Sequence, residues 1–158
     1  MSEQAVITGL GAVTPLGNDV PTFWSGLVEG RSGVGPIGAY DAGDQQVRIA
    51  AEVKDLDVAG LLGRKKARRA DRFAQMALIA ADQAIADARL ALEENCTGRN
   101  VAVLLGTAGG GLTSLLDSAE VMRERGPRRV SPMMIPMLMA NSAAGEIAIR
   151  YGLRGLTL

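Results

Sequence analysis

The stretch from Val101 to Leu116, VAVLLGTAGGGLTSLL, limits the fold more than any other part of this 158-residue chain. Val101–Leu105 is apolar at every position, which reads as a strand covered on both faces in the middle of a sheet. Gly106 and the run Gly109–Gly110–Gly111 then make a bend. Beyond it, Leu112, Leu115, Leu116, Ala119 and Met122 recur at the spacing of one helix face. Strand, glycine turn and helix in that order predict an α/β fold that presents its functional groups at the carboxyl edge of a sheet.

What the turn holds is constrained by what it lacks. A phosphate-binding loop of the form G-x-x-x-x-G-K-[ST] needs a lysine to reach the phosphates. Gly106–Thr113 has the spacing but places Leu112 at the lysine position. The dinucleotide pattern G-x-G-x-x-G fails twice, at Thr14 after Gly9–Gly11 and at Ala108 after Gly106. What is left is a tight turn where the backbone comes close to something, either another helix or an elongated ligand.

Taken in order, the chain opens on Ala5–Thr8, short and partly β-branched, which predicts a buried strand. Turn residues Gly9 to Asn18 follow, and Asp19 or Pro21–Thr22 opens a helix that stops at Gly30. Gly30–Gly43 reads as a loop and Val47–Val53 as a second, edge strand. The longest helical pattern runs from Asp71 to Leu92. Its polar residues Arg72, Gln75, Asp82, Gln83, Asp87 and Arg89 share one arc, and the rest of the circumference is apolar and alanine-rich. That pattern predicts a largely buried helix. Gly126–Pro127 breaks the helix that follows the glycine turn. Pro132 and Pro136 predict an extended Ser131–Pro136. Met137–Tyr151 reads as one further helix in which Gly145 marks a close packing contact, with Gly152 as its C-cap. Leu153–Leu158 starts another strand.

Composition excludes several chemistries. The chain has no histidine and a single cysteine, Cys96, in a polar loop, so it offers no histidine base or relay and no intrachain disulfide. Acidic and basic residues balance at 17 each, which argues against general nucleic-acid binding. No apolar run approaches the roughly 20 residues of a membrane span, and MSEQAVITG lacks the basic start of a secretory signal, so a soluble, cytoplasmic protein is expected. Against this neutral background, Gly63–Arg72 carries Arg64, Lys65, Lys66, Arg68, Arg69 and Arg72. Cations at the start of a helix oppose its macrodipole, so intrinsic helix stability does not account for them, and two readings stand: a solvated helix start or a surface for an anionic partner. Met133, Met134, Met137 and Met139 form a methionine-rich segment, suited to a core or to an irregular apolar tunnel.

The motifs VITGLGAVTPLG, WSGLVEGRSGV, RRADRFAQMA, LLGTAGGGL, SPMMIP and NSAAGEIAIRYGLRG follow one another in this order. Together they resemble the N-terminal part of the elongating β-ketoacyl-acyl carrier protein synthases, relatives of the polyketide ketosynthases, over residues 1–158. The resemblance implies the N-terminal half of a layered α-β-α-β-α thiolase-like fold, incomplete in this chain. It implies condensation of an acyl thioester with malonyl-acyl carrier protein, in fatty acid or polyketide elongation, with no cofactor. In that family a cysteine carries the acyl group and two histidines assist decarboxylation. The nucleophile motif is expected just beyond GLRG, where this sequence ends, and Cys96 does not match it. GLRGLTL also lacks the proline and polar residue often found there.

By position, the resemblance assigns docking of the acidic acyl carrier protein to Lys65, Arg68 and Arg69. It places Gly109 where many relatives have a bulky aliphatic gate to the acyl pocket, and Met133, Met134, Ile135, Met137 and Leu138 along that pocket near a dimer axis. A homodimer, or a heterodimer with a related subunit, is implied. The alternative is a non-catalytic subunit of chain-length-factor type that binds carrier protein. A nucleotide-binding domain is disfavoured by Leu112, Thr14 and Ala108. This chain alone is expected to be catalytically inactive.

Overall fold

The computed structural model describes residues 4–90, 92 and 101–158. Its centre is the pairing of α4 (Arg72–Asp87) with α7 (Ser142–Tyr151). Both helices bring small residues to the contact. Ala74 from α4 packs with Ala143 from α7, and both, like Ala144 beside it, are essentially without solvent exposure. Small side chains let the two backbones approach, and Leu78, Ile79, Ile147 and Ala148 then close the core with Leu62 and Leu153.

Each helix end has a local cause. In α1 (Val20–Val28), Asp19 accepts the Thr22 N–H at 2.7 Å and Pro21 occupies the first turn, where no N–H is missed. The same N–H bond, to an exposed carboxylate, holds the Asp19 pKa below its ordinary value. Asp71 caps α4, and Gly152 ends α7 in the left-handed conformation at φ 64°. Expected and observed helices agree for α1, α4 and α5 (Leu112–Arg125), although α4 stops at Asp87, short of Leu92.

Around this pair the chain is extended or builds short elements. The stretch read as a loop holds β1 (Val34–Pro36), which pairs antiparallel with β2 (Ile49–Ala51), Val34 opposite Ala51. Pro36 is tolerated because each strand of the two-stranded sheet is an edge. Two further short helices, α2 (Val58–Leu62) and α3 (Arg64–Ala67), lie on either side of Gly63. Val101–Leu105 and Leu156–Leu158 pair in parallel through Val103 and Thr157.

Several expectations are corrected. Val101–Leu105 is covered on one face only. Val101, Val103 and Leu105 pack on the core while Leu104 is 71% exposed. Ala5–Thr8 is not buried, with Val6 and Ile7 at 75% and 83% exposure, and joins no strand among the described residues. Both runs are apolar enough for a sheet interior, but no second layer covers them among the described residues. Ser131–Pro136 is not extended throughout. Met134–Leu138 forms a helix, α6, with Pro136 in its first turn, where the missing N–H has no partner to lose. The helix expected over Met137–Tyr151 is therefore two, α6 and α7, separated at Met139–Asn141. Gly145 makes no close contact, since a side chain there would meet nothing within 4 Å. Cys96 lies outside the described residues.

Candidate functional site

The basic run does not occupy the first turn of α4, as its sequence position implied. Arg64, Lys65 and Lys66 lie on α3, and Arg68 and Arg69 lie on the turn that follows. Asp71 then intervenes as an acidic cap, so only Arg72 meets the positive end of the α4 dipole. The turn is stitched from below, because the Gln75 amide donates to the carbonyls of Ala67 and Ala70 at 2.8 and 2.9 Å. Lys66 is the inward member of the run and pairs with Glu146 of α7. Arg72 donates to the Val53 carbonyl. Arg64, Lys65, Arg68 and Arg69 are exposed and join no ion pair among the described residues.

The glycine turn finds its close neighbour in the methionine segment. Gly111 donates its N–H to the Leu138 carbonyl at 3.1 Å, and any side chain at Gly111 would overlap the Met137 carbonyl. Gly110 adopts φ 58° against Ala140. Its N–H turns back to the Thr107 hydroxyl. Backbone amides that a phosphate would need are thus directed into the protein, which agrees with the failed phosphate-loop pattern. The side chain of Leu112 leans over Gly109, and a Cβ at Gly109 would lie 2.6 Å from Leu112 Cδ1. The space beside Gly109 is thus held by this flexible, half-exposed leucine.

Two open clefts bring the cations and the methionines together. The larger, about 560 Å³, lies between α3 and α7 and is lined by Lys65, Lys66, Arg69, Met133 and Glu146, among others. The second, about 410 Å³, is lined by Arg68, Arg69, Ser114, Asp117, Met133, Met134 and Met137, with Ser118 and Ser131. Arg69 and Met133 belong to both. Both clefts join cations to apolar side chains, the first with Leu62 and Met133 and the second with three methionines, and each has one carboxylate, Glu146 or Asp117. Ile135 is outside both and 55% exposed, and Leu138 contributes its carbonyl to the glycine turn.

Three features of this site escape sequence reading. Asp71 is 5% exposed and serves two helices at once. Its Oδ1 accepts the Phe73 N–H of α4, and its Oδ2 accepts both the N–H and the hydroxyl of Ser114 in the first turn of α5, at 3.0 and 2.6 Å. A second basic group, Arg123, Arg125, Arg128 and Arg129, is exposed at the end of α5 and on the 3-10 turn Pro127–Arg129, two residues before Ser131 of the second cleft. The Lys66–Glu146 pair joins residues 80 apart. Only the second was visible as a local pattern, in GPRR.

Further along the α4–α7 contact, Asp82 accepts two N–H bonds from Arg150 at 2.8 and 2.7 Å and the Tyr151 hydroxyl. Burial, and then the bond to Asp82, push the Tyr151 pKa above its ordinary value, with Arg150 opposing. For Arg150, burial is the largest influence and lowers the pKa, but the bonds to Tyr151 and Asp82 outweigh it and the net shift is upward. This cluster fixes α7 on α4 and thereby holds Glu146 beneath the basic run.

Known proteins resemble the chain in sequence and in fold. The chain is 48% identical over 153 residues to a 3-oxoacyl-[acyl-carrier-protein] synthase 2 of Synechocystis, covering 97% of this chain and 36% of that protein. Its structure is similar to the ishigamide ketosynthase/chain length factor, with a TM-score of 0.85 and 26% identity, covering 97% of this chain and 38% of the other. It also shares the fold of a ketosynthase, bound to the hexaketide, that was solved in complex with its type II polyketide acyl-carrier protein (TM-score 0.75, 21% identity, 94% of this chain and 39% of the other). The chain thus spans little more than a third of the proteins it matches, and its fold is an incomplete α/β fold of the thiolase-like kind. Residues 2–158 match the family described as β-ketoacyl synthase, N-terminal domain, and the chain belongs to that family as its N-terminal part.

Proposed function

We infer that this chain supplies the carrier-docking surface and one wall of the acyl cleft of a 3-oxoacyl-acyl carrier protein synthase. The whole enzyme would condense an acyl thioester with malonyl-acyl carrier protein in fatty acid or polyketide elongation. One observation carries the reading: the exposed cations Lys65, Arg68 and Arg69 border the same clefts as Met133, Met134 and Met137. An acidic carrier is attracted to the rim, and flexible methionines accommodate the acyl chain it delivers. Arg128 and Arg129 extend the cationic surface beside the second cleft.

The nucleophile and the two histidines expected of the family would come from the remainder of a protein of the relatives' length. On this reading Leu112, which leans over Gly109, would take up part of the space that glycine was expected to leave open. A cytoplasmic setting and a dimer belong to the same reading. Support for the dimer is the exposed apolar face of α5 and α6, where Leu112, Leu116, Met122 and Ile135 are each more than half exposed. The non-catalytic alternative draws support from the likeness to a ketosynthase/chain length factor. The residue encoded at the family's nucleophile position separates the two, cysteine for the enzyme and another residue for the subunit.

The docking role is tested by the triple variant Lys65→Glu, Arg68→Glu, Arg69→Glu, titrated with acyl carrier protein at low salt. Exposed ion pairs contribute about 0.2–1 kcal/mol each, and reversal adds repulsion, so the loss should be at least about tenfold. Unchanged affinity would overturn the assignment.

A further inference from the structure

We propose that Asp71 is a positioning residue that holds the cationic rim in register with the methionine cleft. Carrier docking and reception of the acyl chain are thereby coupled. The inference rests on the carrier-docking reading above and names the part that makes one site of its two halves.

The geometry is specific. Asp71 directly follows Arg68–Arg69–Ala70, so the backbone that carries the rim cations runs into the capping residue itself. One carboxylate oxygen fixes the start of α4, and the other fixes the start of α5 through two donors of Ser114. The residues just before Ser114 are the glycine turn, and Gly111 is bonded to Leu138 at the end of the methionine helix. A continuous path of bonded groups therefore runs from Arg69 through Asp71, Ser114 and Gly111 to Leu138. Ser114 also lines the cleft that Arg68, Arg69, Met133, Met134 and Met137 share. A stability role alone would be met by a cap on α4. Spanning to a second helix across 43 residues of sequence fixes the width of this cleft as well.

Asp71→Asn keeps an oxygen for the Phe73 N–H but presents an amide where Ser114 needs an acceptor. Ser114→Ala removes only the hydroxyl and leaves both N–H bonds. Ser114→Thr retains the hydroxyl. For the purified chain and each variant, affinity is measured for one acyl carrier protein in two forms, with a free thiol and with a medium-chain acyl thioester. Circular dichroism and thermal unfolding are recorded alongside. The wild-type chain should prefer the acylated form. Asp71→Asn should reduce that preference by about fivefold or more while still binding the free-thiol form. Ser114→Ala should reduce it partway, and Ser114→Thr should restore it.

An unchanged preference in Asp71→Asn and Ser114→Ala, with only the melting temperature lowered, would overturn the inference and leave Asp71 a structural cap. If Asp71→Asn does not fold, Ser114→Ala against Ser114→Thr decides. Failure of the wild-type chain to bind either form would overturn the docking reading and this inference with it. Binding of both forms with equal affinity would overturn this inference alone.

Discussion

Asp82 shows how much one side chain settles here. It holds Arg150 by two N–H bonds and Tyr151 by one O–H bond, all from the last turn of α7. Tyr151→Phe removes one bond to a charged acceptor and should cost about 1–2 kcal/mol in denaturant unfolding. The raised pKa gives a second signature. Between the ordinary tyrosine value of about 10 and the higher native value, the unfolded chain releases a proton that the native chain retains, so stability falls with rising pH. Tyr151's contribution is complete below that window and lost above it. Unfolding between pH 9 and 12 should therefore show a steeper decline for the native sequence than for Tyr151→Phe, and parallel curves would refute this. Residues whose role is local were legible in the sequence: Asp19 as a cap, Gly152 as a stop, Leu112 as the end of any phosphate-loop reading. Lys66, Asp71 and Asp82 were not, because their partners are distant in sequence and a charged residue looks the same whether solvated or bonded.

At the level of elements, the polar arc of α4 is the instructive case. Its residues share one arc of the wheel, which ordinarily marks the solvated side. Instead they bind neighbours: Arg72 the segment just after β2, Gln75 the turn before the helix, Gln83 and Asp87 the N-terminal segment, Asp82 the end of α7. Periodicity gave a largely buried helix, but only Ala74, Leu78 and Ile79 are fully buried and most of the remaining circumference is half-buried. The break between α6 and α7 has the opposite origin. Nothing in MLMANSAAGEIAIRY stops a helix, but the glycine turn takes the Leu138 carbonyl and the chain turns there. Gly111→Ala would drive a methyl group into the Met137 carbonyl. We expect a loss of about 1–3 kcal/mol, and occasionally more, since rigid backbone receives the clash. An alanine variant as stable as the native chain would mean that the turn and α6 move apart freely. The candidate site was legible as two halves, cations and methionines. Their meeting depends on this tertiary contact and on Asp71.

For the molecule as a whole, the exposed apolar surface is large. Trp24, Val28, Leu104, Leu116 and Leu158 are each more than half exposed, besides Val6 and Ile7. Exposed apolar surface, where it forms contiguous patches, marks interfaces or aggregation liabilities. The purified chain should not turn over malonyl-acyl carrier protein, because it contains no histidine and its one cysteine does not match the family nucleophile. Release of carbon dioxide above background in a decarboxylation assay would refute this. The fold class was legible because it rests on ordered local motifs. The uncovered faces were not, since hydrophobicity records what a strand is suited to, and coverage depends on what is beside it.

The bonds between the N-terminal segment and α4 also bear on synthesis. Leu10 donates to Asp87 and Ala12 to Gln83, pairs separated by 77 and 71 residues. During synthesis Leu10 and Ala12 therefore lack these partners until the far end of α4 has been made. At roughly 5–20 residues per second, that interval is about 4–15 s. Val6 and Ile7 pass it as an uncovered apolar stretch, a hazard to the nascent chain that a chaperone would meet.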